Sequence, residues 1–135
     1  MANKKVNNKI FKLGLDWHGV IDKYPKIFKL LSKLILLSGG EVHIITGHSW
    51  DNKFKRKLKK IWGTSDWNYK FSITDYLTDK GLPFEIGADS GKYFELSKWN
   101  SAKAIYCKKH NIDIMIDDSE EYGKHFKNTP YLLLK

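Results

Sequence analysis

Three apolar runs in this chain end on side chains of the kind that perform chemistry. Leu13-Gly14-Leu15 leads into Asp16-Trp17-His18-Gly19, Val42-His43-Ile44-Ile45 into Thr46-Gly47-His48, and Ile112 to Ile116 into Asp117-Asp118. An apolar run that breaks off at a carboxylate and a glycine reads as a buried strand presenting polar groups at its carboxyl end, where open α/β sheets hold their ligands. In that place Asp16 is a nucleophile or a metal ligand, or else an Asx-turn or helix-capping residue. Thr46 is a hydrogen-bond donor to a ligand or an ordinary turn threonine. Asp117 and Asp118, paired acids on a basic protein, suit a divalent cation or the cap of the next helix. Recurrence at successive strand tips favours chemistry over three separate turns.

The elements that must position these residues follow from periodicity. Ile10 to Leu15 reads as the first strand, and Pro25 opens a helix in which Ile27, Leu30, Leu31, Leu34 and Leu37 recur at helical spacing until Ser38-Gly39-Gly40. With the strand Glu41 to Ile45 this makes a right-handed βαβ unit and implies a parallel sheet. Asp51 caps a helix reaching about Trp62, with Phe54, Leu58 and Ile61 on one face and Lys53, Lys55, Arg56, Lys57, Lys59 and Lys60 elsewhere. Asn68 to Ser72 is a short strand and Ile73 to Lys80 a short helix closed by Gly81. Leu82 to Asn100 reads as loops with a small hairpin. Ser101 to His110 is a helix, Ile112 to Ile116 a strand, Glu120 to Phe126 a helix and Tyr131 to Leu134 the last strand. Residues 1–9 read as a flexible basic lead-in.

A chain of 135 residues with 41% hydrophobic content suits one domain, 1–135, with a real core. Its 24 lysines and arginines against 15 acids give a formal charge of +9, and all the cations but Arg56 are lysines. That balance favours anionic partners, phosphorylated small molecules or nucleic acid. The scarcity of arginine argues against base-edge readout, where a bidentate fork is the usual tool. Cys107, the single cysteine, excludes an internal disulfide and a cysteine zinc cluster. No run is long enough to span a membrane and no export signal is evident, so the expectation is a cytoplasmic protein without membrane partners.

Taken in order, these motifs resemble those of the haloacid dehalogenase-like (HAD) superfamily of phosphatases and phosphotransferases. Asp16-Trp17-His18-Gly19-Val20 is similar to its first motif, Asp-x-Asp-Gly-(Thr or Val), and Ile44-Ile45-Thr46-Gly47 to its second. Lys103, with Lys98 in reserve, corresponds to the lysine of the third, and Ile114-Met115-Ile116-Asp117-Asp118 to the paired acids of the fourth. The resemblance runs from about Ile10 to Asp118. It implies a three-layer α/β/α sandwich with a parallel Rossmann-like sheet, and a phosphatase that works through an aspartyl-phosphate on Asp16. Mg²⁺ would be held by Asp16, Asp117, Asp118 and the main-chain carbonyl of His18. Thr46, Gly47, His48 and Lys103 or Lys98 would contact substrate. The chemistry is coherent, because phosphoryl transfer needs a placed nucleophile, a cation for the equatorial oxygens and donors that hold them.

Two features depart from the family pattern. His18 stands where the family places a second Asp that protonates the leaving group and activates water, which predicts a slower or pH-shifted phosphatase. The spacing between motifs leaves room for at most a small lid, and capless members tend to act on large or exposed phosphates. A nucleotide or nucleic-acid end is the expected substrate, with His48, Trp50, Lys92, Tyr93, Lys98 and Trp99 at its rim. The alternative is a catalytically weak relative that binds phosphorylated ligands, nucleic acid or a protein partner. The oligomeric state is not set by the sequence.

Overall fold

The computed structural model describes residues 9–135, so the expected basic lead-in falls outside the described residues except for Lys9. In chain order the elements are β1 (Lys12–Leu15), α1 (Pro25–Leu37), β2 (Glu41–Thr46), α2 (Asn52–Ile61), β3 (Tyr69–Ser72), α3 (Ile73–Asp79), β4 (Glu85–Ile86), β5 (Lys92–Tyr93), α4 (Leu96–Lys109), β6 (Ile114–Asp117), α5 (Glu120–Gly123) and β7 (Tyr131–Leu133). Five strands form one sheet in the order β3-β2-β1-β6-β7, every neighbouring pair parallel. β4 and β5 make a separate antiparallel hairpin. The chain runs outward from β1 to β3, then returns to place β6 on the other side of β1. The strand order therefore reverses between β1 and β6, and the crevice at such a switch point is where α/β sheets bind ligands.

Packing divides the apolar residues into two clusters. Leu13, Leu15, Val42 and Ile44 of the sheet pack with Phe28 of α1 and with Phe54 and Leu58 of α2. Ile45, Phe71 and Met115 pack with Ile73 and Leu77 of α3 and with Ala102 and Cys107 of α4. The result is a Rossmann-like α/β arrangement, a parallel sheet flanked by helices. Among the described residues no helix is long and apolar enough to cross a membrane.

Several boundaries differ from the periodicity reading. α4 begins at Leu96 and not at Ser101. Its first turns hold serine, asparagine and tryptophan, weaker helix formers than alanine or leucine, and Trp99 there stacks on Phe94, ring centroids 6.2 Å apart. α5 stops at Gly123, short of Phe126, and β1 begins at Lys12. On α2 the inward position expected for Ile61 is taken by Trp62, whose indole N–H donates to the Pro25 carbonyl at 3.1 Å. α1 is present as expected, but of the stripe that identifies it only Leu31 reaches the core. Ile27, Leu30, Leu34 and Leu37 are 57–84% exposed, whereas Phe28 and Ser32 are buried. Leu31, Ile35 and Leu36 pack partly against the core beside them. A helix apolar on most sides is recognisable from its period, yet the period does not select the face.

His43 of β2 is buried among polar partners. Its Nε2–H donates to Glu41 at 2.9 Å, and its Nδ1 accepts the Tyr106 hydroxyl at 2.7 Å. The ring stacks on Tyr69, with centroids 4.7 Å apart. Burial holds its pKa below the ordinary value, against the pull of Glu41 and with help from His110 and Lys12.

Two measurements check this packing. Leu34→Lys should change stability by no more than about 0.5 kcal/mol, and Phe28→Ala should cost about 3–5 kcal/mol in urea unfolding. Because His43 is kept neutral when folded but takes a proton near 6.5 when unfolded, its contribution is present above that pH and is lost as pH falls below it. Between about pH 7.5 and 5.5 the Tm of the wild type should therefore fall relative to that of His43→Gln. His48 and His110, whose pKa values burial lowers, and Asp16, whose pKa burial raises, titrate in both proteins and cancel in that comparison.

Candidate functional site

The switch point places the ends of β1 and β6 side by side, and the Asp16 amide donates to the Ile116 carbonyl at 3.0 Å. Beyond Asp16 the chain turns sharply over Trp17–Ile21, held by the Asp22 amide on the Trp17 carbonyl at 3.1 Å. Trp17, Val20 and Ile21 are buried and anchor this loop, and Trp17 meets Phe54 of α2 edge to face at 5.4 Å. Gly19 has φ of +78°, and a side chain there would run into the Asp118 carboxylate. Only glycine meets both demands.

Lys103 enters this crevice from α4, fully buried. Its Nζ donates to Asp16 Oδ1 at 2.9 Å and to Asp117 Oδ2 at 2.8 Å, and lies 4.6 Å from the centre of the Tyr122 ring. Asp117 Oδ1 accepts the amides of Asp118 and Ser119, at 2.8 and 3.3 Å. Among the described residues no donor reaches Asp16 Oδ2, and Asp16 lines an open cleft of about 740 Å³. Asp16, Asp117 and Asp118 each offer an oxygen, and these atoms all lie within 4.8 Å of one another. Two buried carboxylates thus share one ammonium, with a third acid close by. Burial pushes the Asp16 carboxyl up to about 8, the Asp117 charge adding to the push and Lys103 opposing it. The site is short of positive charge, which a proton or an oxygen-seeking cation can supply.

Thr46, at the end of β2, is buried, and its hydroxyl oxygen accepts the His48 amide at 3.2 Å, leaving its proton free for a ligand. Gly47 lies under Trp99, so close that a Cβ would sit 3.0 Å from the indole. His48 is exposed at the cleft mouth and stacks on Phe54 at 5.6 Å. His18 also lines the cleft, its side chain 79% exposed, with Nδ1 3.2 Å from Asp22 Oδ2.

Of the expected site residues, Asp16, Thr46, Lys103, Asp117 and Asp118 are brought together, with Gly47, His18 and His48 around them. Lys98 is not. It lies on the first turns of α4, exposed and five residues from Lys103, hence on another face of the helix. Among the rim candidates, Lys92, Tyr93 and Trp99 line the cleft. Trp50 instead packs between Phe54 and Trp67, at 4.9 and 5.5 Å.

Three contributors escaped the sequence reading. Asp75 accepts the Ser49 hydroxyl at 2.7 Å and the Trp50 amide at 2.8 Å, which fixes the loop after Thr46. Tyr122 covers Lys103 and accepts the Trp99 indole N–H at 2.8 Å. Asp22 holds both His18 and the Gly19 amide, the latter at 2.7 Å. Of the three, only Asp22, four residues after His18, carries a local spacing signal.

No protein-family model, curated protein or solved structure matches the chain. What the site does is argued from its own groups.

Replacing Lys103 with Met strands two buried carboxylates and should cost about 3–5 kcal/mol in urea unfolding with chelator present. A divalent cation should recover part of that loss. The same cation should raise the Tm of the wild type but leave that of Asp117→Asn unchanged.

Proposed function

We propose that this chain is a Mg²⁺-dependent phosphatase of the haloacid dehalogenase-like type. On this reading it is a single cytoplasmic domain of three-layer α/β/α build with a minimal cap, acting on phosphate monoesters of small molecules or nucleotides. The reading is carried by one arrangement, Lys103 lodged between Asp16 and Asp117 beneath an open cleft, with Asp118 within ligand distance. Asp16, Asp117, Asp118 and the main-chain carbonyl of His18 would hold the ion, which neutralises charge on the phosphoryl oxygens.

Asp16 Oδ2, the oxygen free of Lys103, attacks phosphorus in line, and the bond from phosphorus to the ester oxygen breaks. The departing oxygen takes a proton from the His18 ring, which Asp22 holds in place. Water then attacks the phosphorus of the aspartyl-phosphate and yields its proton to the same ring, as the bond to Asp16 breaks and inorganic phosphate leaves. Thr46 donates its hydroxyl proton to a phosphoryl oxygen, and Lys103 offsets the charge of the nucleophile and of Asp117. Binding of phosphorylated ligands without turnover is the second reading, favoured by the exposure of the His18 ring to solvent.

Phosphate release from p-nitrophenyl phosphate and a nucleotide panel should require Mg²⁺ and stop with chelator. Asp16→Asn should lower kcat by about 10³-fold or more. His18→Ala should lower it by about 10²-fold, with His18→Asp restoring activity. Equal rates for wild type and His18→Ala would remove His18 from the chemistry. Release that survives Asp16→Asn would sink the aspartyl-phosphate route.

A further inference from the structure

The cleft has two walls of opposite character. On one side Asp51 lines the cleft and caps α2, its Oδ1 accepting the Phe54 amide at 2.8 Å, while the His48 ring rests on Phe54. α2 therefore starts at the mouth. It carries Lys53, Lys55, Arg56, Lys57, Lys59 and Lys60, all exposed, and no acid. Among the described residues none of these six cations is paired with a carboxylate. Lys53, Lys57 and Lys60 lie one turn apart on a single face. The row begins two residues beyond Asp51, at the mouth of the cleft.

The other wall is the β4–β5 hairpin and the start of α4. It presents Asp89, Lys92 and the exposed Tyr93, with Trp99 behind them, and Glu85 and Glu95 lie exposed on the same segment. A cleft of about 740 Å³ takes a nucleotide-sized group. Three carboxylates against Lys92 make the hairpin the less favourable side for a longer anionic chain, which the acid-free α2 draws across it. The row from Lys53 to Lys60 spans about 10 Å, the rise of about three stacked nucleotides. Lysines that neutralise phosphates, with few arginine forks, give binding without base selection.

Building on the phosphatase reading, we propose that the substrate is the terminal phosphate monoester of a single-stranded polynucleotide. The end base lies against Tyr93 and Trp99, and the following phosphates run along Lys53, Lys57 and Lys60.

The test compares 5′- and 3′-phosphorylated single-stranded oligonucleotides with p-nitrophenyl phosphate, the two oligonucleotides assigning which end is used. For three neutralised phosphates, kcat/KM on the oligonucleotide should fall about 20-fold between about 50 and 200 mM salt, with little change for p-nitrophenyl phosphate. The variant Lys53→Gln/Lys57→Gln/Lys60→Gln should lower the ratio of oligonucleotide to p-nitrophenyl phosphate activity by about tenfold and flatten the salt dependence. Lys55→Gln/Lys59→Gln, on another face, should alter that ratio far less. Equal salt dependence for both substrates, or an unchanged ratio in the triple variant, overturns the polynucleotide proposal and leaves the phosphatase reading standing. A wild-type protein inactive on p-nitrophenyl phosphate as well as on both oligonucleotides overturns the two together.

Discussion

A lysine ammonium fully withdrawn from water is tolerable only with charged partners at hydrogen-bond distance, and Lys103 has two, Asp16 and Asp117. Those partners come from strands adjacent in space but about a hundred residues apart in the chain. The triad ties β1, β6 and α4 at the switch point of the sheet. It is not electrically balanced, because two carboxylates face one cation and Asp118 adds a third acid. A purely structural triad would gain by being neutral. The imbalance, held open to a cleft, is the physical basis of the proposal that the site takes a further cation and an anionic ligand.

The surrounding structure serves the same constraint. Gly19 lets the chain turn away from Asp16 without a side chain pressing on Asp118. Asp75 pins the loop after Thr46, and Tyr122 closes over Lys103. Cys107, one turn beyond Lys103 on α4, has its thiol pushed up to about 12 by burial, so it adds no charge beside the triad. His18 stands outside this dense shell, tethered by Asp22 at the solvent side. The charged centre is fixed by several contacts per residue, whereas the imidazole proposed to move the proton rests on one.

Charge on a larger scale follows from where the helices fall. Six cations are already clustered in the sequence of α2, but folding sets that helix beside the mouth and the hairpin carboxylates opposite. The field across the cleft is thus a property of the assembled walls and not of net charge.

The sequence by itself determined the order of strands and helices, the strand tips bearing Asp16, Thr46 and Asp117, and the cap at Asp51. Each of these is written in local spacing: apolar runs that stop at polar residues, a 3.6-residue period, an aspartate before a helix. Tertiary structure alone decided between Lys103 and Lys98, because both are lysines on one helix and only packing selects the inward face. It also decided which side of α1 is buried, drew Leu96 to Asn100 into α4, and brought in Asp75 and Tyr122. Contacts between residues far apart in the chain leave no periodic trace, so they become visible only once the sheet has set its order.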